Sequence, residues 1–339
     1  MRTVSLVTVV AAFFFASSGA PLKVSLPPLF GAVPIVMGVT WGLFQEEGVE
    51  VELVPLPSQR DRMIAFQAGQ VDVMVTDLTG ALLLVSTLPN GAVIAGTAYV
   101  PDLANAHLAL VTPVTYSKIA TWDELLARIR GGGRVQIALP RQSDLEFVVD
   151  ELFRSQGLSV SPDLYIGQDN LLVNASWTLL GMVAVGALPQ PYVDYILNYS
   201  FEGKPTLQAL QWVAGGNIPP DVIVFRRSLV ESQPELVASF FRALRRTVHR
   251  LNAEEREELV TTVLPIAVDM FFPGGLPQAA QPEDQARVEA AIAAIAIPAF
   301  SEPGPVDPDV YGRVMAWAVN KGYLRSPIPY DAAVVPPPG

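Results

Sequence analysis

Short apolar runs alternate with helix-like segments through the first hundred residues of the chain. The runs at 22–26, 49–54, 71–75 and 92–98 have the pattern of strands, and apolar residues recur at helical spacing between them. Strands that alternate with helices in this way are typical of parallel βαβ units. Because the runs are almost continuously apolar, they predict a sheet that helices cover on both faces.

The same rhythm restarts after a break at Thr112-Pro113. Two S/T-x-x-E sequences, which begin at Thr121 and Ser143, have the form of capping boxes and predict the starts of two helices. The Gly215-Gly216 pair then separates the last two candidate strands. The strands predicted in this part lie at 107–111, 134–139, 182–188, 208–214 and 221–225. The alternation therefore predicts a second α/β unit after the first.

The last third of the chain has a helical pattern. Apolar residues recur at helical spacing from 237 to 251, with arginines on the opposite face. Further helices are predicted at 253–263, 282–295 and 307–320, with a loop at 274–281. The tail at 331–339 is rich in proline, and we expect it to be disordered.

The N-terminus has the pattern of a secretory signal. Arg2 precedes an apolar run at 4–15, and small residues follow at 16–20. A run of this length is too short for a spanning helix, which needs about 20 residues; a buried strand or helix is the alternative. We therefore expect residues 1–20 to be a signal peptide and the mature protein to be periplasmic or otherwise extracytoplasmic. The chain has no cysteine, which removes disulfides and a lipid anchor on an N-terminal cysteine.

Composition and charge narrow the possible functions. The chain has 339 residues, of which 50% are hydrophobic and 16% are charged, and this excludes a disordered protein. The formal net charge of −11 disfavours nucleic acid and anionic membranes as partners. The sequence contains no intact phosphate-loop, nucleophile-elbow, zinc-protease or dinucleotide-binding motif, and it has only 2 histidines. We therefore expect no enzyme activity, no metal site and no cofactor.

The loops that follow the predicted strands are the candidate binding site. In open α/β sheets, ligands bind at the carboxyl ends of the strands, where helix N-termini also offer backbone N–H groups. Among the candidate residues in these loops, Asp77 and Ser143 could instead be helix caps. Arg141 could instead be an ion-pair partner of Asp144, and the aromatic residues could be ordinary packing. The candidate ligand-binding residues are Leu29, Phe30, Gly31, Gln59, Thr76, Asp77, Tyr99, Arg141, Gln142, Ser143, Gln190 and Tyr192.

Three stretches carry a resemblance to a known family. They lie at 34–78, which includes AGQVDVMVTD, at 181–192, which reads GMVAVGALPQPY, and at 307–329, which ends in SPIP. In this order and spacing the chain resembles the extracytoplasmic solute-binding proteins of ABC transporters that handle nitrate, alkanesulfonates, taurine and thiamine-pyrimidine precursors. One departure is Ala184, which stands where the family often has Asp.

The resemblance implies an α/β fold of the two-lobed type II periplasmic-binding-protein class. Each lobe is then a mainly parallel sheet flanked by helices, and two crossover hinge strands join the lobes. Residues 21–112 and 215–330 would form the first lobe with the C-terminal helices, and residues 113–214 would form the second. The implied partners are a small-molecule ligand in the cleft and a membrane permease, with the protein itself a monomer.

The sequence leaves the ligand and two other functions open. Arg141 near a helix N-terminus favours an anion such as a sulfonate, whereas Asp77 and the aromatic residues favour a heterocycle with N–H donors. The first alternative function is an enzyme that acts on a pyrimidine or pyridoxal compound. Pyrimidine synthases of the same fold group carry a cysteine-rich motif, which this chain lacks. The second alternative is an extracytoplasmic ligand sensor.

Overall fold

The computed structural model describes residues 20–338, apart from 104, 116, 118, 160, 202–203 and 273–281. The predicted signal peptide, except its last residue, and the predicted loop at 274–281 lie outside the described residues. Among the helices of the described part, none combines the length and the apolar character that crossing a membrane requires.

Two five-stranded sheets organise the chain. The first has the strand order β2-β1-β3-β12-β4, in which β1, β2 and β3 are parallel and β12 runs antiparallel to both neighbours. The second has the order β11-β5-β8-β6-β7, in which β6, β7 and β8 are parallel and β5 is antiparallel to β8 and β11. The first-sheet strands are β1 Leu22–Ser25, β2 Val51–Val54, β3 Val73–Asp77, β4 Ala92–Tyr99 and β12 Asp221–Arg226, and the second-sheet strands are β5 Ala106–Pro113, β6 Ile137–Ala138, β7 Tyr165–Ile166, β8 Val185–Pro189 and β11 Leu207–Ala214.

Helices cover both sheets, and a short hairpin of β9 Ser200–Phe201 and β10 Lys204–Pro205 completes the strands. Thr121 and Ser143 are N-caps as predicted, since each accepts a hydrogen bond from the N–H of the glutamate three residues on, whereas each glutamate accepts from the N–H of the residue before the cap. The helices are α1 Val33–Thr40, α2 Leu43–Glu46, α3 Gln59–Gln67, α4 Leu78–Thr87, α5 Trp122–Arg130, α6 Asp144–Ser155, α7 Leu171–Leu179, α8 Tyr192–Asn198, α9 Arg227–Ser232, α10 Pro234–Ala253, α11 Arg256–Glu258, α12 Leu264–Phe271, α13 Pro282–Ala293, α14 Pro308–Asn320 and α15 Tyr330–Ala333.

The two-lobed α/β fold is confirmed, with mixed sheets in both lobes. We call the elements around the first sheet the first lobe and those around the second sheet the second lobe. The chain passes between the lobes at 100–105 and again at 215–220. The predicted boundary after residue 112 is wrong, because β5 pairs with β8 and β11 in the second sheet. An apolar strand pattern does not reveal which sheet the strand joins, so this boundary depended on tertiary pairing.

The C-terminal segment contacts both lobes. Helix α14 packs against α4 of the first lobe and α6 of the second. Beyond its end, the Lys321 ammonium lies 3.1 Å from Glu146 Oε1 and 2.9 Å from Asp150 Oδ2, two buried carboxylates of α6. The indole N–H of Trp317 also donates to Asp150 Oδ2, at 2.7 Å. The C-terminal helices therefore do not belong to the first lobe alone, as the resemblance implied.

The predicted disorder of residues 331–339 is wrong for residues 331–335, which belong to α15 and to the short bridge after it. Ala333 and Val334 are buried, and Val334 forms a parallel bridge with Ile94. The Val335 N–H donates to the Ile94 carbonyl at 2.9 Å. Strand β4 is an edge of the first sheet, and its unpaired backbone groups supply these hydrogen bonds. The proline-rich composition of the tail does not predict this order, because the burial of two small apolar residues beside β4 is enough to produce it.

Candidate binding cleft

A cleft lies between the two lobes, at the sheet edges where the parallel strands end. Its empty volume is about 970 Å³, including the open mouth. The first lobe contributes the loops after β1, β2 and β3, and the second lobe contributes the start of α6 and the end of β8. The crossover segments contribute Pro101, Ile218 and Pro219 to the lining of the cleft, and the start of β5 contributes His107. The position agrees with the rule for open α/β sheets.

Most of the predicted ligand-binding residues line this cleft. From the first lobe they include Leu29, Phe30, Gln59, Asp77 and Tyr99, and from the second lobe Ser143 and Gln190. Their wall is largely apolar, as is typical of small-molecule sites. Ser143 also has its structural role, because its Oγ donates to the Pro140 carbonyl at 2.7 Å and accepts from the Glu146 N–H at 3.4 Å.

Three predicted residues lie immediately behind the wall. Thr76 is buried and donates to Asp77 Oδ1 at 3.5 Å. The buried Tyr192 hydroxyl lies 2.9 Å from the carbonyls of Pro28 and Phe271, which it can serve as a shared donor, and burial raises its pKa. Gly31 stands against Asp221: a Cβ at this position would approach Asp221 Oδ2 to 2.3 Å. These residues shape the cleft without forming its surface.

Arg141 and Gln142, which the sequence predicts as ligand-binding residues, are not on the cleft wall. The Arg141 Nε lies 3.1 Å from Glu146 Oε1 and its Nη2 lies 3.0 Å from the Tyr323 hydroxyl. Gln142 has a left-handed backbone, with φ of 58°, and its N–H donates to Glu146 Oε2 at 2.8 Å. The physical reason is the fully buried Glu146 carboxylate, which draws these donors to itself. Asp144, the ion-pair partner considered from the sequence, is engaged elsewhere.

Asp77 and Asp144 cap each other's helices across the lobe boundary. Asp144 accepts from the backbone N–H groups of Leu78 and Thr79, both at 2.9 Å, and its Oδ1 lies 2.6 Å from the Thr79 hydroxyl. Asp77 accepts from the Asp144 N–H and from the Gly80 N–H, each at 2.8 Å. The N-terminus of α4 thus receives carboxylates from both lobes, and that of α6 receives one from the first lobe. Helix N-termini favour such negative groups.

Burial controls the ionisation of this pair. It raises the pKa of Asp144 well above the ordinary value, and the neighbouring charge of Asp77 raises it further. The pKa of Asp77 is raised by burial, although the hydrogen bonds from the backbone and the charge of Arg62 oppose this. The two carboxylates accept hydrogen bonds from helix N-termini of both lobes. The raised pKa values show that burying their charge between the lobes costs solvation free energy.

Arg62 is a cleft residue that the sequence did not single out. It is only 3% exposed, and its Nη1 donates to the carbonyls of Leu56 and Pro57 at 3.1 and 2.9 Å. Its Nε is buried without a hydrogen-bond partner among the described residues. Burial lowers its pKa to about 10, opposed mainly by the charges of Asp77 and Asp221. The residue lies one turn inside a helix, where no sequence pattern marked it.

Asp221 is the second residue that sequence reasoning missed. It opens β12 in register with Asp77 on one side and Tyr99 on the other. Burial raises the pKa of Asp221 to about 7, the charge of Asp77 adds to this, and the charge of Arg62 opposes it. The sequence signal that could have identified Asp221 was its position at the start of the strand that returns the chain to the first sheet. An antiparallel strand begins at the same edge where its parallel neighbours end.

His107 joins the crossover to the cleft wall. Its Nε2 lies 3.2 Å from Asp102 Oδ2 and its Nδ1 lies 3.3 Å from the Tyr99 hydroxyl. A Cβ at Gly215, on the other crossover, would approach the His107 ring to 2.8 Å and the Asp102 carbonyl to 1.9 Å. The two crossovers are therefore packed against each other, and glycine is required there. Within the described ranges, no group of three or more His, Cys, Asp or Glu side chains is placed to hold a metal ion.

Comparisons with solved structures support the same fold. The chain is similar to the periplasmic aliphatic sulphonate-binding protein SsuA of Escherichia coli, with a TM-score of 0.69 and 14% identity over 94% of this chain and 98% of that one. It is similar to the alkanesulfonate-binding protein SsuA of Xanthomonas axonopodis pv. citri bound to MOPS, with a TM-score of 0.67 and 16% identity over 93% and 98%.

A third similar structure is a zinc-bound ligand-binding component of an ABC-type import system from Staphylococcus aureus. Its TM-score is 0.65 at 14% identity, over 94% of this chain and 97% of that one. No family model and no curated protein sequence matches the chain. At these identities the comparisons establish the fold, which is that of the two-lobed periplasmic binding proteins.

Proposed function

We propose that the protein is the substrate-binding subunit of an ABC importer, which captures a small organic solute and delivers it to a membrane permease. The observation that carries this proposal is the cleft between two α/β lobes, at the sheet edges where parallel strands end. Its wall is mainly apolar with a few polar side chains, the makeup of a site that encloses an organic molecule.

The two crossovers provide the hinge that such a function needs. Among the described residues, the chain passes from one sheet to the other between β4 and β5 and between β11 and β12, and rotation about these crossovers would open the cleft if the Asp77–Asp144 and α14 contacts between the lobes were released. The ligand would shift the equilibrium toward the closed form by its differential affinity for that form. In this proposal the predicted signal peptide directs export, and the closed monomer is the form that the permease recognises.

Binding is favoured over catalysis by the side chains that face the cleft. No lysine is among the cleft-lining residues in the described part of the chain, so a Schiff-base mechanism has no nucleophile there. Lys321 instead bridges buried carboxylates of α6. A ligand sensor would share the same cleft. Permease and ATPase genes beside the gene for this chain would favour the importer.

A thermal-shift screen tests the proposal. The screen would use the mature protein with sulfonates, nitrate, pyrimidines, flavins, amines and amino acids. We expect at least one organic solute to raise the melting temperature, because a ligand at a hundred times its dissociation constant stabilises the native state by about 2.7 kcal/mol. Small-angle scattering with that ligand should then report a more compact, closed form.

A matched pair of variants locates the binding. Leu145 lines the cleft at the start of α6, whereas Leu180 is 67% exposed and does not line it. Leu145→Trp should abolish binding by filling the cleft, and Leu180→Trp should leave it unchanged. If no compound of the screen binds, or if both variants bind like the original protein, the cleft is not a ligand site and the proposal fails.

A further inference from the structure

The chain's own carboxylates accept hydrogen bonds from two helix N-termini beside the cleft, those of α4 and α6. An anion in such a cleft would be bound by backbone N–H groups at the helix N-termini. Here the first three N–H groups of α4, at Leu78, Thr79 and Gly80, already donate to Asp144 and Asp77. A bound anion would have to displace these hydrogen bonds and would face two carboxylates.

The second N-terminus is occupied in the same way. The first N–H group of α6, at Asp144, donates to Asp77, and the third, at Glu146, donates to the Ser143 hydroxyl. The preceding Gln142 N–H donates to the Glu146 carboxylate. Side chains of the protein therefore engage the backbone N–H groups of Leu78, Thr79, Gly80, Asp144 and Glu146 at this inter-lobe contact.

Among the described cleft-lining residues, Arg62 is the arginine, and it is surrounded by carboxylates. The Arg62 Nη1 donates to two backbone carbonyls, whereas its buried Nε has no hydrogen-bond partner among the described residues. Its charge faces Asp77, Asp221 and Asp169, so acidic groups outnumber it. Arg62 thus partly neutralises the acidic wall.

Asp221 is the carboxylate left open to a ligand. Its side chain lines the cleft and receives no hydrogen bond within the described part of the chain, although the residue is largely buried. The absence of a side chain at Gly31 leaves the space that the Asp221 carboxylate occupies. Phe30 and Ile218 belong to the apolar wall of the same cleft. The Asp221 oxygens are not among the fully buried unpartnered atoms of the described residues, so they are accessible from the cleft, where a ligand N–H group can donate to them.

We propose, on the basis of the function above, that the cleft selects an organic solute with a cationic or strongly donating nitrogen on an apolar body and excludes anions. Amidinium, aminopyrimidine and ammonium groups belong to this class. Asp221 accepts the hydrogen bond from that nitrogen, and the apolar wall binds the body of the ligand. Asp77 and Asp144 contribute to the exclusion of sulfonates and nitrate, because they accept hydrogen bonds from the N-termini of α4 and α6.

Three pairs of probes that match in shape and differ in charge test the selection. They are benzamidine with benzenesulfonate, phenethylamine with 2-phenylethanesulfonate, and 4-aminopyridine with pyridine-4-sulfonate. Calorimetry on the mature protein should detect binding of at least one cation, and it should detect none of the three sulfonates or nitrate. Binding of any of these anions, or of none of the three cations, would overturn the proposal.

Two variants test the assigned acceptor. Asp221→Asn should weaken binding of the cation tenfold or more, because it removes a charge-assisted hydrogen bond. Gly31→Ala should have a similar effect by displacing the Asp221 carboxylate. Asp163→Asn, which removes an exposed carboxylate outside the cleft, is the matched control and should bind like the original protein. Unchanged affinity in both Asp221→Asn and Gly31→Ala would contradict the assignment.

A gain-of-function variant tests the exclusion of anions. Asp144→Ser frees the N–H groups of Leu78 and Thr79, so it should bind benzenesulfonate where the original protein does not. A folded Asp144→Ser protein, verified by circular dichroism, that still fails to bind sulfonates would contradict the role of Asp144. If sulfonates bind the original protein and Leu145→Trp abolishes this, the proposed function stands and only the charge preference fails.

Discussion

Replacing Asp221 by asparagine should stabilise the ligand-free protein, and more so as the pH rises. Burial and the charge of Asp77 hold the pKa of Asp221 at about 7 in the folded protein, against an ordinary value of 3.8. The folded state therefore binds more protons at Asp221 than the unfolded state between these values. Stability falls as the pH rises through this window, and the loss is complete above about pH 7.

The size of the effect follows from the shift. Raising the pKa of Asp221 by roughly 3 units lowers the free energy of unfolding by about 4 kcal/mol at pH 8, and about 1.7 kcal/mol of this loss has already occurred at pH 5. The advantage of Asp221→Asn over the original protein should thus grow by about 2.5 kcal/mol between pH 5 and pH 8. Comparing the two pH values removes the constant effect of exchanging an acid for an amide.

Urea denaturation at pH 5, 6, 7 and 8 measures this difference. The groups that face Asp221 are Asp77 on β3, Tyr99 on β4 and Arg62 on α3, and they are unchanged in the variant. Asp163→Asn controls for the loss of one negative charge. A stability difference between Asp221→Asn and the original protein that stays constant from pH 5 to pH 8, or shrinks, would refute the reasoning. A binding group kept at the expense of stability is common at functional sites.

Two further predictions concern the C-terminal segment. Lys321→Met should lower the free energy of unfolding by roughly 3 kcal/mol, because it leaves the buried carboxylates of α6 with one cation fewer. The control is Lys23→Met, which removes an exposed lysine and should change the free energy of unfolding little. Equal losses for the two variants in urea denaturation would contradict the stabilising role of the Lys321 ion pairs. Ala333→Asp should lower the free energy of unfolding by several kcal/mol, because it places a charge in the buried contact beside β4. The control is Ala332→Asp, at the neighbouring exposed residue. Equal melting temperatures for the two variants would show that the tail does not pack against β4.

The order of elements could be predicted from the sequence because local patterns encode it. Continuous apolar runs marked the strands, and the capping boxes at Thr121 and Ser143 marked two helix starts within a residue of their observed places. The amphipathic pattern at 237–251 predicted the long helix α10, whose apolar face is buried. These signals depend on side chains close together in the chain, so they survive without knowledge of the fold.

The lobe boundary and the tail could not be predicted in this way. Strand β5 has the same apolar pattern as its first-sheet neighbour β4, and only its hydrogen bonds to β8 and β11 place it in the second sheet. The tail is ordered beside Ile94 because β4 is an edge strand, which is a property of the sheet order. Pairing across the chain decided both features.

The candidate site also has features that the sequence predicts and features that only the tertiary structure decides. The sequence by itself determined which loops reach the cleft, because the ends of parallel strands meet at one edge, and it therefore identified Asp77, Tyr99 and Ser143. Only the tertiary structure decided what those loops can bind. Asp77 and Asp144 lie 67 residues apart in the chain, yet each accepts hydrogen bonds from the other's helix. Charge balance in a cleft depends on distances across the two lobes, which only the crossovers and the sheet pairing establish.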